Sequence, residues 1–241
     1  MNSKVVVFDI KSKLAHFRKI NSNSSSLTYI VPPRTTILGI IAGILGRERD
    51  SYYTDKDFEE MKIGVEPICP HRVMTQTINY LFVESFNDVT GYRNRTQVPV
   101  EFLTSRDDVA FRIYLSCNDN LLSEINECLK NEEYIYSISL GPAYCLADVN
   151  YVGEFDSICF DEQLEGFVDI STVIRMEDVI DYEFSSNLYK EKMPSKFLEN
   201  RVCITNDYLF SKNNTGIKVK LEPKSLIILN LDGKEKLITY M

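Results

Sequence analysis

The sequence predicts an α+β fold: a ferredoxin-like domain over residues 1–150, followed by a smaller β-rich region over residues 151–241. Three observations lead there. A β-branched run opens the chain, two segments of helical period alternate with extended runs up to residue 150, and only short strand and turn patterns follow. Strand, helix, strand, strand, helix, strand is the order of a split βαβ fold, here with a long insertion at about residues 83–108 between its middle strands.

Each element has a local reason. "SKVVVFDIK" reads as a strand over residues 3–11, and a polar loop centred on "NSNSSS" follows. "VPPRTT" blocks any earlier helix start, because proline fixes its own φ and biases the preceding residue toward extended backbone. Thr35 or Thr36 is then the expected N-cap. Ile37, Ile40, Ile41, Ile44 and Leu45 form one buried stripe, Gly39 and Gly43 allow close approach of a neighbour, and Gly46 is the expected stop.

Residues 71–83 read as a long strand, "VPVEFL" resumes extended structure, and "DDVAFRIYLSC" alternates with a period of two. "NDNLLSEINECLKNEE" is an amphipathic helix, with Leu121, Leu122, Ile125, Cys128 and Leu129 on its apolar face. "YIYSISLGPAYCLADVNYVG" predicts one or two short strands broken at Gly141-Pro142. Beyond it come "FVDIST", "RVCIT" and "GIKVKLEP", and the "LDG" before "KEKLITY" marks a hairpin turn.

Composition narrows the class. Apolar residues make up 44% and charged residues 26% of 241, as expected of a soluble, cytoplasmic globular protein. The run "ILGIIAGILG" is far below the roughly 18 residues that span a bilayer, and no signal-peptide pattern opens the chain, so no membrane role is expected. Six scattered cysteines without a CxxC pair read as small apolar residues in a reducing compartment. The net charge of −8 argues against a polyanionic partner until it is divided along the chain. Residues 1–50 carry eight Lys/Arg against three Asp/Glu, whereas residues 118–241 carry twelve against twenty-two.

The basic excess gathers around one loop. Lys11, Lys13, Arg18 and Lys19 supply charge, Phe17 and Tyr29 supply π-faces, and Asn21, Ser24, Ser25 and their neighbours supply small hydrogen-bonding groups. Single-stranded nucleic acid needs this mixture for phosphates, stacking and base edges. A solvated, flexible loop is the competing reading. Arg34, with Thr35 beside it, precedes a helix whose free N–H groups favour an anion, and pairing of Arg34 with a nearby carboxylate is the alternative. Tyr92, Arg93 and Arg95 sit in the insertion, where they suit either a nucleic-acid contact or simple solubility.

Catalytic constellations are thin. The chain has two histidines, His16 and His71, and no Walker loop, HExxH, GxSxG or defensible metal-ligand spacing, so no metal or cofactor is expected. His16 beside Arg18 and Lys19 is the one candidate general base, for metal-independent cleavage of RNA through its 2′-hydroxyl.

The strand "VVVFDIK", the "AHFRK" loop, "PPRTTILGIIAGILG", "RTQVPVEFL" and "SLGPAYCLADV" together resemble the fifth CRISPR-associated (Cas) protein family of the RAMP superfamily, and the subtype I-B branch most of all. The resemblance covers mainly residues 1–150. It implies an RRM-like RAMP domain with an inserted thumb hairpin and a non-catalytic, RNA-binding subunit of a type I Cascade complex that caps the 5′ handle of the CRISPR RNA for antiviral defence. It also implies contacts with the Cascade backbone subunit and large subunit, and with target DNA through the assembled complex. By position, Phe17, Arg18 and Arg34 would join the handle-binding surface, and Arg93 and Arg95 would lie on the thumb. One branch of that family is itself an endoribonuclease that processes repeat RNA, which is the competing function.

Overall fold

The structure, a computed structural model, describes residues 2–83, 95–160, 166–213, 215–231 and 233–241. A six-stranded antiparallel sheet organises it. Its members are β1 (Asn2–Ser12), β4 (Lys62–Pro67), β7 (Val109–Ser116), β8 (Asp148–Cys159), β15 (Ile227–Leu231) and β16 (Lys234–Ile238), in the order β16-β15-β8-β1-β7-β4. β1 is central, and both of its faces are buried, which is why its sequence is almost uninterrupted in apolar residues. Val6, Phe8 and Ile10 pack toward the helices, and Val5 and Val7 pack with Tyr114, Leu229 and Ile238 on the opposite face.

Helix α1 (Arg34–Ile44) connects β1 to β4, and α3 (Asp119–Asn131) connects β7 to β8. In α1 four of the five predicted stripe residues are buried, and Ile37, Ile41 and Ile44 are fully enclosed, each contributing about 1.5–3 kcal/mol by burial; Leu45 is half-buried at the C-cap. Gly46 takes φ +68°, and the Arg47 N–H closes back onto the Ala42 carbonyl at 2.8 Å, a Schellman stop. The start differs from expectation. Pro33, not a threonine, is the N-cap, so Arg34 is the first helical residue. In α3, Asn118 caps Leu121 N–H at 2.9 Å, and Leu121, Leu122, Ile125 and Leu129 are buried as the period requires.

Two further departures change the layout. β4, in "KIGVEP", was not foreseen, because the turn formers Gly64 and Pro67 mask a strand that is buried along five of its six residues. The expected strand at residues 71–83 does form, as β5 (Arg72–Leu81), but it leaves the main sheet and pairs over ten positions with β6 (Arg95–Thr104). The segment between α3 and β8 is mostly irregular, with one bridge between Ser139 and Leu146.

Two short strands, β2 (Phe17–Arg18) and β3 (Thr28–Tyr29), bracket the serine-rich loop, and α2 (Lys56–Glu59) is a single turn before β4. In the C-terminal part, β9 (Val168–Ile170), β11 (Val179–Tyr182) and β14 (Ile217–Leu221) form one small sheet. A second comprises β10 (Ile174–Arg175), β12 (Leu188–Phe197) and β13 (Cys203–Ser211). Ile170, Ile174, Leu209 and Val219 form a core between them. The expected division at residue 150 falls inside β8, and the β15–β16 hairpin closes back onto the N-terminal sheet through Ile228↔Ile158.

Candidate nucleic-acid interface

The basic loop does not float. Ala15 exchanges two backbone hydrogen bonds with Leu103 of β6 (3.1 and 2.7 Å), and Ser26 donates to the Pro99 carbonyl at 2.9 Å. The Glu101 N–H returns to the Ser26 carbonyl at 2.9 Å, while the Glu101 carboxylate accepts the Thr28 N–H at 3.0 Å. Residues 15–28 are therefore pinned along the base of the β5–β6 hairpin. A third segment joins them where the Leu140 carbonyl accepts the His16 N–H at 3.0 Å. Sequence reasoning placed these three stretches in separate elements. The Gly141-Pro142 pair was the one visible hint that the third turns sharply at a contact.

His16 is the fastener of this junction. It is 5% exposed, with Nδ1 2.6 Å from the Glu101 carbonyl and Nε2 2.9 Å from the Ser26 hydroxyl. A carbonyl only accepts, so Nδ1 carries the proton and Nε2 accepts from Ser26, which fixes the neutral tautomer. Burial pushes the imidazole below its ordinary range, with Arg18 nearby acting in the same direction. Both ring nitrogens are engaged, whereas the sequence expectation of a general base needs one of them free to face RNA.

The π-faces also differ from expectation. Phe17 and Tyr29 are 3% and 2% exposed, and Phe17 packs edge-on against Phe111 at 5.8 Å, so neither presents a stacking surface. Phe17 and Tyr29, directly opposite each other on β2 and β3, join the main core with Ile37 and Phe111, whereas Arg18 faces outward. The exposed aromatics beside the junction are Tyr144 and Tyr80, with Tyr144 against Phe102 at 6.1 Å. Burial and a hydrogen bond with Tyr80 push the Tyr144 phenol up to about 12.

The cations sort by partner. Lys19 pairs with Glu191 of β12 and lies 5.4 Å from the Tyr29 ring centroid, and Lys13 pairs with Asp108 at 2.6 Å. Arg18 is exposed and donates to the Ser22 carbonyl at 3.3 Å; Lys11 is half-buried on β1. Among the described residues neither has a carboxylate partner. Asn21 and Ser24 are exposed and Ser25 half-buried, all on the outer arc of the loop. Arg95 is exposed where β6 begins, opposite Leu81; Tyr92 and Arg93 lie outside the described residues.

Arg34 lies apart from the loop and is 8% exposed. Its guanidinium donates to the carbonyls of Ser195 (3.1 Å), Glu59 (2.9 Å) and Met61 (2.7 Å), tying the start of α1 to β12 and to the approach to β4. The expectation of an open cation ahead of the helix is corrected on both counts, position and exposure. Burial lowers the guanidinium pKa from its usual value. Thr35 is half-buried next to it, in a pocket with Tyr52 and Phe197.

Comparison with known proteins places the fold. No curated protein matches the sequence. A CRISPR protein from Archaeoglobus fulgidus is 12% identical with a TM-score of 0.57, covering 100% of both chains. A chain of a CRISPR RNA-guided surveillance complex is 14% identical with a TM-score of 0.54, covering 89% of this chain and 91% of that one. A chain of a Type III-B Cmr-beta complex bound to cognate target RNA is 13% identical with a TM-score of 0.51, covering 89% and 86%. At these identities the likeness is one of fold. The profile of one sequence family matches residues 5–202, which is most of the chain. On that match, the chain belongs to the CRISPR-associated protein (Cas_Cas5) family.

Proposed function

We propose that this chain is a non-catalytic, CRISPR RNA-binding subunit of a type I Cascade complex, of subtype I-B, that holds and caps the 5′ handle of the RNA. Family membership supports the general reading. One observation carries the finer one: the serine-rich loop is pinned along the hairpin base, with Arg18, Asn21 and Ser24 outward and Tyr80 and Tyr144 exposed beside the same junction. Cations and π-faces side by side suit a single strand, with Arg18 for phosphate, the loop amide and hydroxyls for base edges, and the tyrosines for stacking.

In this reading β1, α1, β4, β7, α3 and β8 form the ferredoxin-like core, whose β8-β1-β7-β4 order is that of a split βαβ fold. The β5–β6 hairpin is the thumb. Its exposed Val73, Met74, Leu81 and Phe82 suit the neighbouring backbone subunit, and the large subunit and target DNA are met in the assembled complex. The buried, doubly bonded His16 supports a positioning role over that of a general base.

The test is binding and cleavage of handle-containing repeat RNA in EDTA, with Arg18→Ala and Tyr144→Ala. Intact RNA, held less tightly by both variants, supports handle capping; the Tyr144→Ala loss should correspond to about 1–3 kcal/mol for one stacked base. A metal-independent cut at the handle boundary that disappears in His16→Ala would make the protein the processing nuclease instead.

A further inference from the structure

A second basic feature lies away from the loop, in an open cavity of about 390 Å³ between the start of α1, the C-terminal strands and the end of the chain. Arg34, Lys62, Arg175, Lys196 and Lys224 line it against two carboxylate side chains, Glu59 and Asp178, with Met241 also in the lining. Both carboxylates are already committed: Asp178 is held by Arg175 at 2.9 and 3.2 Å, and Glu59 pairs with Lys196. Among the described residues no carboxylate pairs with Arg34, Lys62 or Lys224.

Arg34 makes this imbalance costly. It is buried, its hydrogen-bond partners are three neutral carbonyls, and of the charges around it Arg175 is alike and Glu59, already paired with Lys196, is opposite. A buried charge ordinarily has a counter-charge. Independently, Tyr208 is 0% exposed and lines the same cavity beside Arg34; its hydroxyl closes no hydrogen bond of normal geometry among the described residues, its nearest polar side chain being that of Ser195, whose own hydroxyl donates to the Ile204 carbonyl. Burial pushes that phenol up to about 12, so it stays a donor at neutral pH. A weakly satisfied donor beside a guanidinium with no carboxylate bonded to it, at the N-terminal end of an eleven-residue helix with no acidic residue in its first turn, asks for one kind of ligand.

We propose that this cavity is a phosphate-binding site, in which an oxyanion accepts from the Tyr208 hydroxyl and the Arg34 guanidinium and is screened at the rim by Lys62 and Lys224. A phosphate there completes the hydrogen bonding of Tyr208 and supplies the missing counter-charge together. The site is separate from the serine-rich loop, so it stands whether or not the loop holds RNA. Two sources present the same chemistry: a phosphate of an RNA strand, or free inorganic phosphate.

The experiment titrates the full chain with inorganic phosphate, followed by phosphorus NMR line width and by the thermal shift it induces. Parallel samples carry Tyr208→Phe and Lys224→Met. Native protein should bind saturably, and Tyr208→Phe should bind about tenfold more weakly, the loss expected for a hydrogen bond to a charged group. Without phosphate, Tyr208→Phe should melt at or close to the native temperature, because the removed hydroxyl had at most a weak contact with Ser195. Lys224→Met should weaken binding and flatten its salt dependence. Displacement of bound phosphate by repeat RNA assigns the site to a strand, and its absence assigns it to free phosphate. Unsaturable binding, or Tyr208→Phe protein that binds phosphate as the native chain does, overturns the proposal.

Discussion

Gly141 lies so close to His16 that a β-carbon at position 141 would sit 1.9 Å from the His16 carbonyl oxygen. The same residue has φ +106°, a conformation that side chains rarely adopt. Backbone therefore meets backbone where the 138–147 segment crosses the basic loop, and no side chain can relax the contact.

Gly141→Ala should consequently destabilise the protein by about 3 kcal/mol, from strain and clash together. For a chain of this size that is a Tm drop of roughly 6–12 °C in a calorimetric or circular-dichroism melt. An unchanged Tm would mean that the two segments do not cross as described.

Phe17 separates packing from recognition. Buried against Phe111, it should cost about 3–5 kcal/mol as Phe17→Ala, but less than about 1.5 kcal/mol as Phe17→Leu. If Phe17 instead stacked on RNA, Phe17→Leu would lower RNA affinity as strongly as Phe17→Ala without moving the melt. Urea titrations alongside RNA titrations distinguish the two.

Arg18 and Arg95 are exposed, so replacing either with alanine should leave the melt in place. If each meets a phosphate, the slope of log affinity against log salt should become shallower by about 0.7 per substitution. Filter binding across a range of salt concentrations measures this. Lys13→Ala is the control: its charge is already paired with Asp108, and it should change the slope less.

His71 predicts an acid-sensitive fold. It is 2% exposed, packs edge-on against Phe111 at 4.7 Å, and burial depresses its pKa to about 4. The unfolded chain takes up a proton near pH 6.5 and the folded chain does not, so stability is full above pH 6.5 and falls as pH drops toward 4. The full loss is about 3 kcal/mol. His16, depressed in the same direction, adds to the slope. Denaturant midpoints between pH 7 and 4.5 should fall steadily in the native protein and less in His71→Phe; equal slopes would discard the assignment.

How much was legible follows from the range of each interaction. The α1 and α3 stripes, the Gly46 stop and the buried run of β1 are written in the periodicity of neighbouring residues, and they form as the sequence predicts except that Leu45 and Cys128 are only half-buried. The basic, serine-rich character of residues 11–26 was equally plain. What chain order alone left open was which strands share the sheet: β4 was hidden behind Gly64 and Pro67, and β5, a strong strand in isolation, pairs among the described residues only with β6.

The fate of individual side chains was decided at longer range still. Phe17, His16 and Arg34 look like recognition residues in their own stretches of sequence. Their partners, Phe111, Glu101 and Ser195, are 94, 85 and 161 residues away. Composition and period determined that this chain has a basic loop beside a helix. Whether each cation or ring in that loop faces solvent or the core was settled only when distant backbone closed over it, because burial belongs to the folded whole and not to any segment.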